Sequence, residues 1–142
     1  MTKFSGSVTA FLIHSHVDRK DVRKLYLRLV KDGVNAWMDV EKLQPGQDWR
    51  NEIRRALLTC DVVLVCLSRE FTKREGYRHE EVRIALERAR SLPEDVVSII
   101  PVRLEACDMP ETLSHLHRVD LFQPGGYKRL LRALKRRRET LG

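Results

Sequence analysis

The sequence predicts an α/β fold with flavodoxin-like winding: a five-stranded parallel sheet in the order 2-1-3-4-5, with helices on both faces. Three observations carry this expectation. Short apolar runs recur, VTAFLI at Val8–Ile13, VVLVCL at Val62–Leu67 and VVSIIPV at Val96–Val102, as strands buried on both faces require. Segments with apolar residues at helical spacing separate them, which implies right-handed crossovers between parallel strands. The length, 142 residues, suits one core.

The elements follow in order. After the first strand, Asp18 is placed to cap a helix whose apolar residues are Val22, Leu25, Tyr26, Leu29 and Val30, and Gly33 closes it. A short strand, Val34–Met38, leads into a polar loop from Asp39 to Gln47 that contains Pro45-Gly46. Asp48 caps a second helix with the stripe Trp49, Ile53, Ala56 and Leu57. The third strand, Val62–Leu67, is followed by a charged connection from Ser68 to Gly76 and a third helix over Tyr77–Arg90. The fourth strand ends near Pro101, and a loop with one helical turn after Pro110 leads to a fifth strand at Val119–Phe122. Gly125-Gly126 ends that strand before a final helix, Tyr127–Glu139, built on Leu130, Leu131 and Leu134. One domain spans 1–142, with its core at about 8–138.

Charge says less than its total suggests. The chain carries 27 basic and 20 acidic residues, a net +7 that would ordinarily point to polyanions. Seven of those cations lie in the last 15 residues beside one acid, Glu139, and the rest is 20 basic against 19 acidic. The excess belongs to the terminal helix at 127–139, read as a solvated basic face or a junction to a further domain. With no aromatic platform between the cations, nucleic acid is disfavoured as a partner. No apolar run reaches the ~18 residues of a membrane span, so no membrane partner is expected. Cys60, Cys66 and Cys107 are odd in number and lack a C-x-x-C pair, which fits reduced thiols and a cytoplasmic location.

Several chemistries are absent from the pattern. Neither a P-loop nor a dinucleotide fingerprint follows the first strand. The third strand ends Cys66-Leu67-Ser68, without the aspartate of a phosphate-accepting receiver. His14/His16 and His115/His117 form two H-x-H pairs, but no third ligand stands at fixed spacing, so no metal site is expected. His14 and Ser15 do follow the first strand at the carboxyl edge, where ligands bind in such sheets.

The third helix holds an anomaly. With Tyr77 at zero, Glu81 falls at about 40°, inside the apolar sector, whereas Glu80 and Glu87 point to water. A carboxylate there costs desolvation unless it is paired or lines a cleft. An ion pair with Arg78, Arg88 or a basic loop residue would explain it. So would a catalytic role. The segment EKLQPG is equally open, as an ordinary turn or as a lid or contact loop at the ligand edge.

Phe11-Leu12-Ile13-His14-Ser15, Trp37-Met38-Asp39-Val40-Glu41-Lys42-Leu43-Gln44-Pro45-Gly46 and Tyr77-x-x-x-Glu81 together resemble a Toll/interleukin-1 receptor (TIR) domain of bacterial type. Asp39–Gly46 resembles that family's BB loop. The resemblance implies one of two activities: cleavage of NAD+ at the nicotinamide–ribose bond, to nicotinamide and ADP-ribose or a cyclic isomer, or a non-catalytic scaffold for homotypic TIR–TIR contact in signalling. The enzymatic members carry an aromatic residue four positions before a glutamate, which falls here on Tyr77 and Glu81, the residue already out of place on the wheel. The resemblance thus implies Glu81 as catalytic carboxylate and Tyr77 as an aromatic wall. His14, Ser15, Asp39, Lys42 and Leu43 would line the pocket, with Lys42 toward phosphate, and NAD+ would be substrate with no further cofactor. It also implies TIR partners that meet through Gln44, Pro45, Gly46, Gln47, Asp48 and Trp49, and an active site completed by assembly.

Overall fold

The computed structural model describes residues 8–38, 45–73 and 78–141. Five strands, β1 (Thr9–Ile13), β2 (Asn35–Met38), β3 (Val62–Leu67), β4 (Ile99–Arg103) and β5 (Val119–Asp120), form one sheet in the order β2-β1-β3-β4-β5. Every pairing is parallel. The predicted winding is therefore the observed one. All six residues of β3 are buried, because the central strand is covered on both faces.

Alternation along the strands divides the core. Ala10 and Leu12 of β1 face α1 (Arg19–Lys31) and α4 (Gly126–Glu139), against Val22, Leu25, Leu29, Leu130 and Leu134. Phe11 and Ile13 face the other way, toward α2 (Trp49–Thr59) and α3 (His79–Arg90), against Ile53, Leu57, Val82 and Ala85. The expected helical turn after Pro110 is present at Glu111–Leu113.

Some bounds differ from expectation. β4 begins at Ile99 rather than Val96 and runs to Arg103. β5 has two residues, because the chain turns after Asp120 and Leu121 and Phe122 leave the sheet. The third helix begins at His79, and the expected first residue, Tyr77, lies outside the described residues. Asp18 occupies the N-cap position of α1 but its side chain caps nothing. Instead, its Oδ2 accepts the Ser15 hydroxyl at 2.6 Å and the Ser68 hydroxyl.

That diversion is placed where the winding reverses. From β1 the chain crosses to β2 on one side, while β3 pairs on the other, so the carboxyl ends of β1 and β3 form the topological switch point. Ser15 follows β1 and Ser68 follows β3, and Asp18 holds the two ends together.

Candidate active-site cleft

A cleft of about 550 Å3 opens between the first turns of α2 and α3. Asp48 builds one wall: its Oδ1 accepts the Arg50 amide at 3.2 Å, the N-cap read from the sequence. The cap starts α2 immediately after the exposed turn at Pro45-Gly46, where Gly46 has φ +89°. Ile53 and Leu57 anchor α2 in the core, and Trp49, half exposed at 49%, lies on the cleft wall instead of in the expected buried stripe. An indole at the very start of a helix has no sheet beneath it to cover both faces.

The opposite wall is the start of α3. Val82, Ile84 and Ala85 are buried, and the wheel position of Glu81 makes it share their side of the helix. Its side chain is 12% exposed and its Oε2 stands 3.2 Å from Nη1 of Arg78. The ion pair expected on ordinary grounds is therefore real, and its partner is Arg78. Glu81 also lines the cleft, so pairing and access coexist. Its place in the first turn is further favoured by the helix dipole. Glu80 pairs with exposed Arg83 at 2.8 Å, as a solvated residue should.

Arg88, the other basic candidate, works elsewhere. Its Nη1 donates to the Leu57 carbonyl at 3.1 Å and to that of Cys60. It thereby ties the carboxyl end of α2 to α3, below the open cleft. The adjacent Cys60 thiol is pushed up to about 11, mainly by burial, and Cys66 is raised further still by complete burial, so both behave as packing residues.

His14 and Ser15 are buried at the end of β1. The His14 Nδ1 lies 2.7 Å from the Ser15 carbonyl, so that nitrogen is the protonated donor. Their link to the cleft runs through the backbone: Arg78 Nε donates to the His14 carbonyl at 3.0 Å. Gln47 and Asp48 continue the exposed segment that begins at Pro45. Tyr77, Asp39, Lys42, Leu43 and Gln44 lie outside the described residues. No cluster with metal-ligand chemistry occurs among the described residues.

Sequence reasoning named Arg78 as a partner for Glu81 but missed two further cations of the cleft. Arg50, Arg54 and Arg78 line it together with Trp49 and Glu81. The signal for two of them was present, since Arg50 and Arg54 stand one helical turn apart on one face.

A switch-point α/β sheet with a carboxylate-bearing cleft beside it defines a class, and comparison with known proteins gives the family. A family model described as TIR domain matches residues 10–134. The chain belongs to the TIR domain family. A curated relative, the uncharacterized protein y4cD of Sinorhizobium fredii, is 33% identical over 98 residues, covering 68% of this chain and 15% of that protein's length. Among solved structures, the TIR domain of the Toll-related receptor TRR-2 from Hydra magnipapillata superposes with a TM-score of 0.70 at 19% identity, covering 89% of this chain and 97% of that one. A prokaryotic SEFIR domain gives 0.65 at 19% identity, with 89% and 92% covered. The TIR domains of the Roq1 resistosome, which recognises the effector XopQ, give 0.59 at 21%, with 92% and 82% covered. These likenesses establish the fold.

Proposed function

We propose that this TIR domain is an NAD+ glycohydrolase with Glu81 as its catalytic carboxylate. The observation that carries the reading is Glu81 itself: a carboxylate with its side chain 12% exposed, on the wall of an open cleft, facing a helix that presents an indole. In the reaction, the C–N bond between ribose and nicotinamide breaks, and its electron pair leaves with nicotinamide, which becomes neutral. The ribose acquires oxocarbenium character, which an adjacent carboxylate stabilises. Water then adds to the anomeric carbon and releases a proton, or a ring nitrogen of the same molecule closes a cyclic product. No acid is needed for so good a leaving group.

Charge in the cleft is consistent with such a substrate. Arg50, Arg54 and Arg78 surround a site that must accept a pyrophosphate, and Glu81 is available to the cationic ring. Tyr77 would add an aromatic wall, His14, Ser15, Asp39, Lys42 and Leu43 the remaining lining, and NAD+ is substrate with no further cofactor. The domain acts in a cytoplasmic signalling or defence role. The test is nicotinamide release from NAD+ at high protein concentration, with Glu81→Gln and Glu81→Ala beside the parent. Release above both variants is expected, and equal release in all three would refute the assignment.

A specific observation favours the scaffold reading as well. Residues 45–50 are all exposed, so Pro45, Gly46, Gln47, Asp48 and Trp49 present a continuous contact segment beside the cleft. Homotypic association through this segment, extended to Gln44, would bring TIR partners together with or without catalysis. Sedimentation of Trp49→Ala and Pro45→Ala against the parent decides it: unchanged association in both would exclude the segment.

A further inference from the structure

A second large concavity lies at the other end of α3. It is a groove of about 620 Å3 between the last turns of α3, the first residues of β4 and the outer side of α4. Its origin is topological. β5 pairs only with Val102 and Arg103, so Ile99 and Ile100 have no strand neighbour on that side, and the groove opens there.

Its floor is aliphatic, with Leu86, Leu92, Val96, Val97, Leu116 and Ala133, and Val97 is 39% exposed. Its walls are cationic. Arg90, Arg118, Arg129 and Arg136 line it together with His115 and His117, against a single acid among the described residues, Glu94. Arg118 reaches Asp120, an acid already bound by Arg103. The side chains of Arg90, Arg129 and Arg136 make no ion pair among the described residues. Arg83 on α3, by contrast, is matched by both Glu80 and Glu87.

We propose that this groove docks an extended segment of a partner protein in which carboxylates alternate with aliphatic side chains. Alternation sends acids to one side and apolar groups to the other, which matches cationic walls above an aliphatic floor. Arg129 and Arg136 stand two helical turns apart, about 10 Å along α4, and Arg90 lies across from them. One compact anion cannot meet all three, whereas several carboxylates in a row can. Among the described residues no Phe, Tyr or Trp lines the groove, which leaves a nucleobase no platform there on which to stack. The homotypic contact proposed above uses residues 44–49 beside the α2–α3 cleft, whose lining shares no residue with this groove.

The experiment uses the full chain and a labelled peptide of alternating glutamate and valine, followed by fluorescence anisotropy over a salt series. Arg129→Glu with Arg136→Glu is expected to weaken binding by about tenfold or more. Lys128→Glu with Lys135→Glu changes the same helix and the same net charge outside the groove, and should weaken it by less than about threefold. Val97→Asp, from the opposite side, should also weaken it. Equal loss in the two charge-reversed pairs would overturn the proposal, as would equal affinity for polyglutamate or tighter binding of oligothymidylate. Self-association of the parent that is abolished by the groove pair would overturn it in favour of a second copy. Nicotinamide release is read in the same samples and should be unaffected by the groove pair.

Discussion

Arg78 and Glu81 form an ion pair of 3.2 Å, and the same guanidinium donates through Nε to the carbonyl of His14. One side chain therefore connects the end of β1 to the candidate carboxylate on α3. It also sets a cation against that carboxylate, so Arg78 contributes to both the position and the charge environment of Glu81.

Replacing Arg78 separates these roles. Arg78→Gln removes a charge-assisted bond to a carbonyl and a partly screened ion pair, and should lower stability by about 1 kcal/mol, read from urea midpoints. Nicotinamide release should fall by about tenfold as Glu81 loses its fixed pose. Arg78→Lys keeps a cation near Glu81 but not the planar fork, and is expected to lie between the two. Release equal to the parent's in Arg78→Gln would show that Glu81 is held by other contacts.

The switch point gives a second prediction. Ser15 and Ser68 are both buried, and both hydroxyls end on Asp18 Oδ2, while Ser68 Oγ also accepts the Phe71 amide at 3.0 Å. Asp18→Ala leaves two buried hydroxyls without their acceptor and should cost about 2–4 kcal/mol. Asp18→Asn keeps one carbonyl oxygen in place and should cost less than half of that. A loss below about 0.5 kcal/mol in Asp18→Ala, the scale of an ordinary surface change, would refute the bridge.

Gly125 and Gly126 make a contrasting pair. Gly125 has φ +78° and open space around it, so alanine there should cost only the left-handed penalty, about 1–2 kcal/mol. A Cβ on Gly126 would stand 2.2 Å from the Asp120 carbonyl oxygen, which is backbone and cannot swing aside. Gly126→Ala should cost about 3 kcal/mol or more and disturb the β5–α4 junction. Thermal unfolding of the two single variants, compared at equal pH, checks the order.

These cases show what the sequence could and could not reveal. Strand order was readable because buried parallel strands are continuous apolar runs, and the helices between them dictate the crossovers. The Asp48 cap was readable because its signal is local. Asp18 was misread as a cap because its side chain instead joins Ser15 to Ser68, which lies 50 residues away. Glu81 stood out through periodicity alone, since an acid on an apolar face violates the helical pattern. That pattern named Arg78 and Arg88 as equal partners, and only the fold separates them, sending Arg88 to the carbonyls of α2. Trp49 shows the converse: helical spacing placed it in the core, but in the first turn of α2 it stands half exposed on the cleft wall.

Tyr127 donates its hydroxyl to Asp32 Oδ2 at 2.7 Å inside the α1–α4 core, with the Arg28 guanidinium 3.7 Å from the ring centroid. Burial raises the phenol well above its ordinary range, helped by the bond to Asp32 and its charge, while Arg28 opposes the shift. A phenol whose pKa is higher folded than unfolded contributes stability that is complete below the unfolded value of about 10. That contribution fades as pH rises from there toward the folded value, by up to about 1.4 kcal/mol per pH unit. Tyr127→Phe cannot titrate. At neutral pH it should be less stable by about 1–3 kcal/mol, because buried Asp32 loses a donor. Above pH ~10 the parent should lose stability faster than the variant, so the gap narrows. Paired urea titrations at neutral and alkaline pH read the difference directly and cancel the lysines common to both proteins. A gap that stayed constant through pH ~11 would show that the phenol titrates alike in the folded and unfolded chains.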